Sequence, residues 1–169
     1  MDLFEAIQRR RSVRAFTQKT VEPATLARVL AAANAAPSAG NLQAYEIFQL
    51  TRPNHRAALA HAALDQFFIA QAPVALVFCA NPERSAVKYH ERGAQLYSVQ
   101  DATIACAFAM LAATALGLGT VWVGAFDDAA VQSVLHRRDL LPVAILPIGY
   151  PAEEPEPTPR RSLDDLVHQ

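Results

Sequence analysis

The chain has 169 residues, of which 52% are hydrophobic and 18% charged, with a formal net charge of −1. That balance excludes intrinsic disorder, which needs low hydrophobicity and high net charge, and it argues against a nucleic-acid binder working by bulk positive charge. A chain this long buries roughly 70% of its unfolded surface and needs neither disulfides nor a structural metal.

The first residues, Met1-Asp2-Leu3-Phe4-Glu5, lack the basic and then apolar pattern of a secretory signal, so a cytoplasmic protein is expected. Asp2 can cap a short helix carrying Leu3 and Ile7, which runs into the basic knot Arg9-Arg10-Arg11-Ser12-Val13-Arg14. Thr20-Val21-Glu22-Pro23 opens a second helix with Leu26, Val29, Leu30 and Ala33 on one stripe. It must stop before Pro37. A loop of small and polar residues follows over Pro37 to Gln43, then a strand over Tyr45 to Leu50 and a helix over Pro53 to Leu64.

Val74 to Cys79 is a continuous apolar run, the mark of a strand covered on both faces. Pro82 to Arg92 is polar and carries no clear pattern. Gln95 to Leu116 reads as a long helix with little polar surface, which must be buried in a core or in a subunit interface. Thr120 to Ala125 reads as a strand, Asp127-Asp128 as the start of a short helix through Leu135, and Pro142 to Gly149 as the last strand. Four prolines and three glutamates make Pro151 to Pro159 a stiff extended arm, the first part of a C-terminal arm over 151–169. No repeat or internal boundary divides the chain, so residues 1–169 are expected to form a single domain.

Several chemistries lack their equipment. The 25 uncharged positions from Ala102 to Phe126 are long enough to span a bilayer. Gly117-Leu118-Gly119 interrupts them, a β-branched cluster follows, and no Lys/Arg cluster flanks them, so a buried helix and strand are expected and no membrane partner. Gly117-Leu118-Gly119 enters a strand, with Trp122 where a dinucleotide fingerprint needs its third glycine. There is no phosphate loop, no HExxH, no GxSxG, and Cys79 and Cys106 have no metal spacing and suit a reducing compartment.

Arg10, Arg11, Ser12 and Arg14 crowd one turn, and Arg160 and Arg161 stand at the far end of the chain. Guanidinium forks bind phosphate bidentately, and a serine hydroxyl adds a compact donor. Ser38, Asn41 and Gln43 offer short polar groups suited to the ribityl chain and ring edge of a nucleotide-like cofactor.

Arg10-Arg11-Ser12-Val13-Arg14-Ala15-Phe16 resembles the N-terminal signature of the FMN-dependent nitroreductase family. Ala36-Pro37-Ser38-Ala39-Gly40-Asn41-Leu42-Gln43 resembles its second, and Leu116 to Phe126 its third. Leu146-Pro147-Ile148-Gly149-Tyr150-Pro151 followed by Arg160-Arg161-Ser162-Leu163 is similar to its closing segment. The four fall in the family's order and together are specific.

The resemblance implies an α+β fold with a central mixed sheet flanked by helices, in an intertwined homodimer with FMN at the subunit interface. It implies hydride transfer from NADH or NADPH to the flavin and then to an electron-poor small molecule, a nitroaromatic, quinone, flavin or activated alkene. Arg10 and Ser12 match the phosphate ligands, within a cluster that includes Arg11, and Arg160 or Arg161 reaches in from the tail. Arg14 matches the basic residue near the flavin pyrimidine. Pro37, Ser38, Ala39, Asn41 and Gln43 match the polar loop at the cofactor. Val123, Gly124 and Ala125 match the turn whose Gly124 and Ala125 N–H groups point at the flavin ring. No side chain stands out as a proton donor, and no metal ligand set is implied. Two other functions fit the same resemblance: a flavin enzyme of different chemistry (a peptide-modifying dehydrogenase or an oxygen-dependent flavin-fragmenting enzyme) and a non-enzymatic FMN-binding protein.

Overall fold

The computed structural model describes residues 1–168. Four strands form one sheet: β1 (Tyr45–Leu50), β2 (Val74–Ala80), β3 (Gly119–Thr120) and β4 (Leu141–Gly149), in the spatial order β1-β2-β4-β3. All three ladders are antiparallel, and parallel pairing is confined to a single bridge between Ser12 and Thr120. That bridge lays the arginine-rich turn along the β3 edge.

Helices cover both faces, as the unbroken apolar run of β2 requires. On one side α2 (Pro23–Asn34) and α6 (Ser98–Ala115) pack on Leu76, Phe78, Ala144, Leu146 and Ile148. On the other, α3 (Pro53–Ala62), α4 (Phe68–Gln71) and α7 (Asp128–Leu135) bury Leu59, Ile69 and Val131 against Val77, Cys79 and Ile145. Alternate residues of β2 therefore enter different cores, the period-two consequence of the pleat.

Local chemistry sets the helix ends. The Asp2 carboxylate accepts the Glu5 N–H at 2.8 Å and starts α1 (Leu3–Arg9). Asp127 does the same for α7 through Ala130 N–H at 2.8 Å. Pro23 and Pro53 stand in the first turns of α2 and α3, where a missing N–H costs nothing. The polar stretch Pro82–Arg92, without a clear pattern in the sequence, is the helix α5, capped by Asn81. It leads through a π-helical turn, Gly93–Tyr97, into α6.

The strand expected over Thr120 to Ala125 is much shorter. β3 pairs with β4 at Gly119–Gly149 and Thr120–Ile148, and Val123 then exchanges both backbone bonds with Ile145 at 2.9 Å. The register is continuous, so Val121 stands opposite Pro147, which has no N–H to give to the ladder. Gly119 sits tightly against Val13: a Cβ there would lie 2.9 Å from Val13 Cγ1 and force that side chain to shift.

By length and composition, the helical stretch Pro82–Ala115 is long and apolar enough to cross a membrane, although a non-helical His90 (φ 50°) kinks it near the end of α5. In the fold, Ala102, Ala105, Cys106, Ala109 and Ala113 of α6 are core residues. Its opposite face is only partly covered: Phe108 is 39% exposed, and Leu3, Phe4 and Ile7 of α1 are open as well. After β4 the arm folds back on the N-terminal segment of its own chain, with Ala152 N–H bonded to Ala15 O at 2.9 Å. It ends in the short helix α8 (Leu163–Leu166).

Candidate functional site

The turn after α1 is held at several points. The Arg10 N–H closes α1 onto Ala6 O, and the Val13 N–H bonds Thr120 O at 2.9 Å. From the arm, the Glu153 carboxylate accepts the N–H groups of Arg14 and Ala15. With the backbone fixed, the side chains of Arg10, Arg11, Ser12 and Arg14 open into one cavity of about 410 Å³, and the arm adds Glu156 and Arg160.

The electrostatics of this cavity are unfavourable for cations. Burial, then Arg160, then Arg11 push the Arg10 guanidinium below its ordinary pKa. Among the described residues, Arg10, Arg11, Arg14 and Arg160 form no ion pair with a carboxylate. Arg11 donates instead to the carbonyls of Gln8 and Arg10, and Arg160 to those of Thr158 and Pro159. The neighbouring arginines are turned away. Arg9 pairs with Glu5 at 2.9 Å on the surface, and Arg161 bonds Asp165 at 2.6 Å.

The loop between α2 and β1 is tightly coiled. Gly40, Asn41 and Gln43 all have left-handed backbones, with φ of 58°, 57° and 44°. The Ser38 hydroxyl accepts the Gln43 N–H at 2.9 Å, and the Gln43 amide donates to Asn41 Oδ1 at 2.7 Å. From α6 the Asp101 carboxylate accepts Ala39 N–H at 2.9 Å and Ala44 N–H at 3.3 Å. Pro37, Ser38 and Ala39 line a groove of about 520 Å³ with Tyr97, Gln100 and Asp101. This groove shares no lining residue with the arginine cavity.

Beyond β3 the Val123 N–H is consumed by Ile145 O. Gly124 and Ala125 are exposed, and their N–H groups meet no acceptor among the described residues. The Gln66 amide holds this turn by donating to Ala125 O at 2.8 Å. The Arg14 guanidinium lies 5.9 Å from the ring centre of Phe68, two residues after Gln66.

The Nitroreductase family model matches this chain over residues 7–69 and 60–150. The chain belongs to the nitroreductase family. It is 31% identical to a NADH dehydrogenase of Thermus thermophilus, over 99% of this chain and 95% of that protein. It is 28% identical to an FMN reductase [NAD(P)H] of Bacillus subtilis, over 99% of this chain and 73% of the relative. Its fold superposes with a TM-score of 0.90 on the NADPH:FMN oxidoreductase from Vibrio harveyi complexed with NAD+, at 28% identity, covering 99% of this chain and 76% of that one.

Within this nitroreductase the structure brings Arg10, Arg11, Ser12, Arg14 and Arg160 together and leaves Arg161 outside. The polar loop is preformed but stands at a separate groove in the single chain. Two contributors escaped the sequence reading. Glu153 had no signal, being one acid among several in a Pro-rich arm. Asp101 had a usable one: it is the sole charged residue between Gln95 and Leu116.

Proposed function

We propose that this nitroreductase is an FMN-dependent enzyme that oxidises NADH or NADPH and reduces an electron-poor small molecule. The observation that carries the reading is the arginine cavity. Four guanidinium groups and a serine hydroxyl converge there with Glu156, with no ion pair to a carboxylate among the described residues, at a cost from burial and then from Arg160 and Arg11 that lowers the Arg10 pKa. A terminal phosphate dianion relieves that cost and matches the bidentate donor geometry of arginine. The residues therefore fit FMN, in agreement with the flavin named in the FMN reductase and NADPH:FMN oxidoreductase relatives.

When bound, FMN supplies a ring that accepts hydride from a nicotinamide and passes it to an acceptor. The chain supplies binding and orientation. Arg10, Ser12 and Arg160, with Arg11 beside them, hold the phosphate. Arg14, beside Phe68, is the cation that would stabilise negative charge on the ring. Gly124 and Ala125 offer unpaired N–H donors with little side-chain bulk, so backbone can approach a planar ring closely. Ser38, Asn41 and Gln43 supply polar contacts along the ribityl chain and ring edge.

A second copy of the chain completes the site in this reading. Two features support a homodimer: the arginine cavity and the polar loop share no lining residue in one chain, and α6 leaves Phe108 and its neighbours partly open. The chain works as one domain over residues 1–169, with 151–169 as its arm, and its buried free thiols suit the cytoplasm.

The test is the visible spectrum of the purified protein, the identity of the flavin released on denaturation, and an anaerobic titration with NADH or NADPH. Yellow protein releasing FMN, bleached by the nicotinamide and recoloured by a quinone or nitroaromatic, is expected. Stoichiometric FAD, or no flavin after reconstitution, overturns the reading.

A further inference from the structure

Asp101 is an anomaly in its helix. It is 2% exposed, on a buried face of α6 that also carries Ser98, Ala102, Ala105, Cys106 and Ala109 and no other charge. Burying a carboxylate in such surroundings costs several kcal/mol unless its oxygens are bonded. Among the described residues no Lys or Arg pairs with it. Its partners are two backbone donors, Ala39 N–H on Oδ1 and Ala44 N–H on Oδ2. Its charge also reaches Tyr45, whose phenol is raised above its ordinary pKa by burial and then by Asp101.

Those two donors bracket the segment that most needs a tether. Between them lie Gly40, Asn41 and Gln43 with positive φ. A left-handed backbone is unfavourable for Gln in particular and persists only where surrounding contacts over-determine it. The internal bonds from Gln43 to Ser38 and Asn41 coil the loop but do not attach it to the body of the protein. Arg84 of α5 donates to Leu42 O and the Asn81 N–H bonds Ala44 O; Asp101 adds the attachment to the rigid helix α6, with one oxygen accepting an N–H at each end of the loop. An apolar residue at 101 would leave the fully buried Ala44 N–H without a partner. An asparagine has one acceptor oxygen for two donors, so its NH₂ must face an N–H.

We propose that Asp101 is a positioning residue for the flavin. It clamps both ends of the 39–44 loop so that Ser38, Asn41 and Gln43 are preorganised for the ribityl chain and ring. The proposal rests on the FMN reading above. Asp101 touches no cofactor atom itself; it acts through the loop. Preorganisation raises affinity by removing the ordering cost that a mobile loop would incur on binding.

The experiment pairs Asp101→Asn with Arg10→Ala and has two readouts. The first is amide hydrogen exchange of the flavin-free protein. In the wild type the Ala39 and Ala44 amides exchange slowly although they flank a surface loop. In Asp101→Asn exchange across 39–44 rises at least tenfold while β2 and the inner turns of α6 keep their protection. The second is affinity for FMN and for riboflavin. The clamp serves the part that both ligands share, so Asp101→Asn weakens both by the same factor, about tenfold for one lost bond. Arg10→Ala weakens FMN alone.

Unprotected Ala39 and Ala44 amides in the wild type overturn the proposal without any variant. So does exchange that rises equally through the whole protein, which marks a general stability role, or a loosened loop with unchanged flavin affinity. A wild-type protein that takes up no flavin fails the FMN reading and the flavin half of this proposal together. The exchange data then still decide whether Asp101 clamps the loop.

Discussion

Arg10→Ala is the most direct probe of the arginine cavity. Arg10 lies in the turn after α1, partly buried, with Arg160 and Arg11 both raising the cost of its charge. In the flavin-free protein the substitution removes a repelled cation, so thermal stability is expected to hold or rise. In the complex it removes a charge-assisted hydrogen bond to phosphate, worth about 1.5–3 kcal/mol. At about 1.4 kcal/mol per decade, FMN affinity falls by roughly ten- to a hundred-fold. Riboflavin lacks the phosphate, and its affinity should hardly change. Fluorescence titration of both flavins against the flavin-free protein measures the contrast, and a folding defect would weaken both. Arg9→Ala is the control: Arg9 turns outward to Glu5, an exposed i,i+4 pair of the kind worth about 0.3–0.5 kcal/mol. Equal losses for the two flavins at Arg10, or a larger loss at Arg9, would refute the assignment of the phosphate site.

The other predictions test separate parts of the molecule. Phe108→Glu puts a charge on the open face of α6, and sedimentation should shift from about twice the chain mass to the monomer, with flavin lost in parallel; an unchanged dimer would place the interface elsewhere. Burial pushes the Cys79 thiol up to about 12 and the Cys106 thiol higher still, so both should resist a thiol reagent near neutral pH and both react after denaturation. Arg137 holds the Asp139 carboxyl at about 2, below its ordinary value. This pair therefore favours the folded state above about pH 4 and ceases to do so as pH falls toward 2; in Arg137→Ala the NMR midpoint of Asp139 should rise toward about 3.9. Leu59→Ala opens a cavity in the α3 core and should cost about 2–5 kcal/mol in denaturant unfolding.

Much of this protein is legible in its residue pattern because the relevant signals are local. The apolar run of β2, the Pro23 and Pro53 helix starts and the Asp127 cap each depend on a few neighbouring residues. The crowding of Arg10, Arg11, Ser12 and Arg14 within five positions is likewise visible before any fold is known, and it raises an anion site as a candidate. The helix α5 was not readable, because it is polar and is held by a cap at Asn81 and by the π-helical turn Gly93–Tyr97 folded against it, with Tyr89 edge-on to Tyr97. The end of β3 was not readable either: it depends on Pro147, a residue 26 positions along the chain from Val121 that stands opposite it only in the folded sheet. Between Arg160 and Arg161, the position ahead of Ser162-Leu163 favours Arg160 in sequence, and the fold adds that Arg160 lines the arginine cavity while Asp165 captures Arg161. Asp101 shows the same division. Sequence marks it as the one charge in an apolar helix, but a charge there has no meaning until folding brings the two ends of a loop, 62 and 57 positions away, within hydrogen-bond reach of its two oxygens. Hydrogen bonds and Coulomb forces act over a few ångströms of space, whatever the distance along the chain, and only the tertiary fold sets that spacing.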